Sequence, residues 1–150
     1  MSAHIAVDTI KTLKANQTKR PRSVTFFALG VLILSVVNLV RAVRAVQLWS
    51  FLSDLLPLSP LYLVLTGLFW FGAGLGLFWM IWRGLPRTAF LVRMAAAAYL
   101  LYFWADRLWV SNAGLPANWP FNLAASLLAL AFVYLFFKLR PVEAYFGGSA

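Results

Sequence analysis

Cysteine is absent from this chain of 150 residues, histidine occurs once and acidic residues four times. Without cysteine there is no disulfide, no thiol redox pair and no thiolate metal site, and the redox compartment stays open. The one histidine, His4, lies in a polar N-terminal segment. A haem inside a helix bundle would therefore lack a histidine ligand. The acids are Asp8, Asp54, Asp106 and Glu143, scattered over tail, loop and span ends. A metalloenzyme needs such groups clustered. No glycine-lysine phosphate loop is present, and no serine sits in a nucleophile motif. No acid lies deeper in an apolar stretch than Asp106, which argues against a proton-coupled exporter. Nor is there an internal repeat of the kind that builds small transporters. These absences predict no metal, no cofactor and no enzymatic activity.

The chain is instead rich in hydrocarbon. It is 63% hydrophobic and 11% charged, with a mean hydropathy of +0.81. A soluble domain of this size would need more polar surface to cover its core. About 20 apolar residues, each rising about 1.5 Å, cross a hydrocarbon layer of about 30 Å. Stretches of this kind occupy residues 24–40, 61–82, 88–105 and 121–137. The first resembles a signal-peptide core only in part. Its basic lead-in is long, no small-x-small cleavage site closes it, and Arg41 and Arg44 follow directly. It reads as a retained anchor. Asp54, Pro57, Ser59 and Pro60 predict a loop before the second span, and Asn112, Gly114, Pro116, Asn118 and Pro120 one before the fourth. The predicted fold is an all-α integral membrane protein. It is a four-transmembrane-helix antiparallel bundle over residues 23–140, leaving no room for a separate soluble domain.

The basic residues set the expected orientation. Lys11, Lys14, Lys19, Arg20, Arg22, Arg83, Arg87, Arg93, Lys138 and Arg140 fall on one side, and Arg41, Arg44 and Arg107 on the other. The positive-inside rule then predicts that both N-terminus and C-terminus are cytoplasmic. Trp49, Trp109 and Trp119 mark the outer boundary, and Trp79 and Trp82 the inner one. The expected location is a prokaryotic cytoplasmic membrane, crossed several times. The net charge of +9 is explained by these flanks, so nucleic acid is not an expected partner. Residues 1–22 form a basic cytoplasmic tail, disordered or lying on the surface, where anionic lipids are the expected contact. Residues 141–150 form a second, short cytoplasmic tail.

Two kinds of constellation remain. Gly72 and Gly76 in the second span, and Ala125 and Ala129 in the fourth, are small residues at i and i+4. Such pairs let helices approach closely, either within one bundle or in a dimer. The other constellation is polar and lies toward the outer ends. Ser35, Asn38 and Arg41 recur every third residue. Tyr99, Tyr102 and Asp106 share one face of the third span, and Asn122 and Ser126 one face of the fourth. Polar groups in membranes turn inward and pair. The predicted cluster is Asn38, Arg41, Arg44, Tyr99, Tyr102, Asp106 and Asn122, with Asp106 neutralising Arg41 or Arg44.

The function expected from this pattern is non-enzymatic: an accessory membrane component, or one that assembles with itself or a larger membrane complex. The alternative is a small transporter or ligand-binding membrane protein that uses the outward-facing polar cluster. An enzyme built on Asp106 and the tyrosines would lack a second acid or base.

Overall fold

A computed structural model describes residues 20–55, 59–110 and 118–146. The basic tail up to residue 19, with its expected lipid contact, lies outside the described residues, as does the end of the C-terminal tail. The described residues are helical throughout, apart from short turns. The elements are α1 (Arg22–Gln47), α2 (Trp49–Leu55), α3 (Pro60–Arg83), α4 (Thr88–Ala105), α5 (Trp119–Phe136) and α6 (Arg140–Tyr145). A π-helical turn, Asp106–Val110, extends α4. Four helices are long and apolar enough to cross a membrane: α1, α3, α4 with its extension, and α5. Their outer faces carry large apolar side chains such as Phe26, Leu101, Phe121 and Leu128, each at least 70% exposed. Water would not tolerate that surface, whereas lipid matches it.

Local sequence explains the helix ends. Ser59 caps α3, its Oγ accepting from the Leu61 N–H at 3.3 Å, and Pro60 opens the helix with no N–H to satisfy. Asp54, expected in a loop, falls instead within α2. α1 runs through to Gln47, with Ala42 and Ala45 continuing its buried stripe. At the far end of α3, Gly84 takes φ 63°, the left-handed conformation. Its N–H donates to the Ile81 carbonyl, and the Leu85 N–H to that of Met80. This pair of bonds forms a Schellman motif, which needs glycine at that position.

The tightest packing is between α1 and α3. Ala28, Ser35 and Ala42 recur every seven residues on α1, and Gly67, Gly74 and Ile81 do so on α3. Ala42 meets Gly67, Ser35 meets Gly74, and Ala28 shares a buried cluster with Ile81. Residue numbers rise along one helix as they fall along the other, so the pair is antiparallel. A seven-residue period keeps one stripe on the partner as two helices wind round each other. Val24, Asn38 and Ala45 fill the buried positions between. A Cβ on Gly67 would stand 2.8 Å from the Asn38 carbonyl oxygen and 2.9 Å from the Ala42 methyl. One on Gly74 would run into Ser35 Oγ.

Within the bundle, this seam is built from other small residues than the expected pairs, which are left free for a dimer contact. Gly72 and Gly76 are exposed, and no atom lies within 4 Å of where their Cβ would be. The reason is phase. Each lies two residues from Gly74, about 200° round the helix, so both point away from α1. Ala125 and Ala129 are exposed as well. Of α5, only Phe136 is buried.

α5 docks through its C-terminal end. Phe136 stacks on Phe27 of α1 with centroids 4.4 Å apart, and Phe137 meets the same ring edge-on at 5.6 Å. With Val24, Ala28, Ile81, Val92, Val142 and Phe146 they form the core. It sits at the end that carries the α3–α4 turn.

Candidate functional site

The opposite end holds the polar residues. Arg41 directly precedes the seam residue Ala42, so its side chain leaves the α1–α3 contact at the edge and reaches α4. Tyr102 and Asp106, four residues apart, present hydroxyl and carboxylate on one face of α4. The planar fork of Arg41 engages both. Nη1 donates to the Tyr102 hydroxyl at 2.9 Å. Nη2 donates to the Asp106 carboxylate at 3.2 Å and 3.5 Å. The Arg41 side chain is 33% exposed and that of Asp106 21%, so the ion pair is shielded without being enclosed. Asp106 is also the residue at which α4 passes into its π turn.

α3 completes the group with two residues that the sequence did not single out as part of it. The Tyr62 hydroxyl lies beside both Asp106 and Tyr102. Trp70 packs edge-on against Tyr99 with centroids 4.9 Å apart, and tilted against Tyr102 at 5.6 Å. The arginine, the carboxylate and the phenols thus rest on an aromatic floor. The cluster ties together α1, α3 and α4.

The other expected members lie elsewhere. Asn38 is buried in the seam and donates to the Leu34 carbonyl of its own helix at 2.8 Å. Ser35 likewise faces α3, donating to the Phe71 carbonyl at 2.7 Å. Arg44 is exposed, three residues beyond Arg41 and on a different bearing. Asn122 stays with α5, where its carbonyl accepts from Ser126 Oγ at 2.7 Å. The aromatic docking of α5 lies at the other end of the molecule, so nothing draws Asn122 to Arg41.

Chemically, the group satisfies itself. The arginine donors meet a hydroxyl and a carboxylate, and the carboxylate also has Tyr62 at hand. It offers one acid and no partner base for proton transfer. Among the described residues, no three His, Cys, Asp or Glu side chains gather as metal ligands would. No family model, curated protein or solved structure matches the chain.

Proposed function

We propose that the chain is a non-enzymatic, multi-pass membrane protein that acts through helix packing, as an accessory or self-associating component. In this reading it is a four-span antiparallel bundle in a prokaryotic cytoplasmic membrane, with both termini inside. The observation that carries the reading is the self-satisfied ion pair. Arg41, Tyr102 and Asp106 bond to each other across helices, as polar groups do when they hold a membrane fold together.

The test is a double-mutant cycle on protein purified in detergent. Asp106→Ala is expected to lower stability by roughly 1 to 3 kcal/mol, the value of a charged hydrogen bond. Arg41→Ala in the same chain should recover part of that loss by removing the stranded cation. Simple additivity rules out a structural latch. A second outcome favours the transporter or ligand-binding alternative: Asp106→Ala leaves unfolding unchanged but abolishes a flux in reconstituted vesicles.

A further inference from the structure

At the core end, two cations converge on one tyrosine. Arg93 of α4 places its guanidinium 4.9 Å from the Tyr134 ring centroid and 5.8 Å from that of Phe137. Lys138, just past α5, places its ammonium 4.7 Å from the same Tyr134 ring. Neither cation has a carboxylate partner among the described residues, where the ion pair found is Arg41 with Asp106. The Nε of Arg93 is buried without any hydrogen-bond partner. Arg93 also sits roughly 8 Å along the axis from the start of its helix, inside the apolar span. A cation there gains from an anion that its side chain can reach, such as a headgroup phosphate.

Next to it runs an open groove of about 390 Å³, lined by Arg93, Leu127, Leu130, Ala131, Val133 and Tyr134. Its wall is apolar, so Arg93 contributes its methylene stem there and carries its charge to the tyrosine. An open apolar groove on a lipid-facing side suits a hydrocarbon chain lying along it. Leu127 and Ala131 on its wall are exposed to the surroundings of the helices.

We propose that this is a binding site for an anionic phospholipid. The phosphate sits with Arg93 and Lys138, and one acyl chain lies in the groove along Leu127 and Ala131. The two cations call for an anion, and the apolar groove calls for hydrocarbon on the same molecule. The inference requires only that the helices lie in a bilayer, and holds whichever end faces the cytoplasm.

The test uses the full chain purified in a neutral detergent and titrated with phosphatidylglycerol. Native mass spectrometry counts bound lipid, and thermal unfolding reads the accompanying rise in Tm. Saturable binding of a single lipid is expected. Arg93→Gln should weaken it about tenfold, as for losing a charge-assisted contact. Lys138→Gln should weaken it too. Arg83→Gln should leave it unchanged, because Arg83 stacks on Trp79 away from the groove. Ala131→Phe fills the exposed wall and keeps both charges, so it too should weaken binding at least tenfold. That variant decides the matter if Arg93→Gln does not fold. Equal losses in Arg93→Gln and Arg83→Gln would mean diffuse surface attraction and overturn the site. So would an equal Tm rise with phosphatidylcholine, or with inorganic phosphate alone, or undiminished binding in Ala131→Phe.

Discussion

At Gly84 the backbone takes φ 63°, and the Tyr145 ring lies 3.0 Å from where a Cβ would stand. Alanine there meets both obstacles. The left-handed conformation alone costs a side-chain-bearing residue roughly 1 to 2 kcal/mol. Displacing Tyr145 would also break its bond to the Trp82 carbonyl, 3.1 Å long. Gly84→Ala is therefore expected to lower the thermal midpoint in detergent, and an unchanged midpoint would show that the turn is not rigid. Arg20 shares the same acceptor, donating to the Trp82 carbonyl at 2.6 Å while its guanidinium lies 3.8 Å over the Trp82 ring. At the other end, Tyr62→Phe removes one hydroxyl from beside Asp106. A small loss of stability is expected in the same measurement, because one polar neighbour of the carboxylate is gone. No change on removing it would exclude Tyr62 from the latch.

At the scale of helices, the seam makes glycines in one helix unequal. Gly67→Leu drives a branched side chain into the Asn38 backbone and the Ala42 methyl, and should unfold the α1–α3 pair. Gly72→Leu enters open space and should leave unfolding unchanged. Equal damage from both would place the seam elsewhere. The contrast also marks the limit of what the sequence made legible. Four apolar stretches stood out because hydropathy needs no partner to be read. Tyr99, Tyr102 and Asp106 could be grouped because a helix fixes the spacing of one face. Choosing among the glycines of α3 required the rotation of that helix about its axis, which its own residues leave open because nearly all of them are apolar. The answer lies in the match between two helices: a seven-residue stripe on both, with Gly67 and Gly74 where Ala42 and Ser35 press closest. Tyr62 is illegible in the sequence for a related reason. It stands two residues after Pro60 at the level of Asp106, but only the crossing of α3 with α4 turns it toward the carboxylate.

For the molecule as a whole, the basic residues predict orientation and the absence of cysteine makes it easy to measure. Single cysteines at Ser2 and Ser149 are expected to resist a membrane-impermeant maleimide in intact cells. One at Ser53, exposed on α2, should react. Labelling of either terminus from outside would reverse or break the proposed topology. Beyond the α1–α3 seam, one end is tied by the ionic cluster on its aromatic floor and the other by the phenylalanine stack. α5 takes part only in the second, which leaves its Trp119 half peripheral.

The seven-residue seam bears on the order of synthesis. Every residue in it precedes Gly84, so the α1–α3 hairpin has all its contacts before α4 leaves the ribosome. Chains fold from the N-terminus as they emerge, and membrane helices pair after insertion. α4 then brings Tyr102 and Asp106 to Arg41, and α5 comes last, onto Phe27. Translation thus delivers each helix to a surface that earlier helices have finished building.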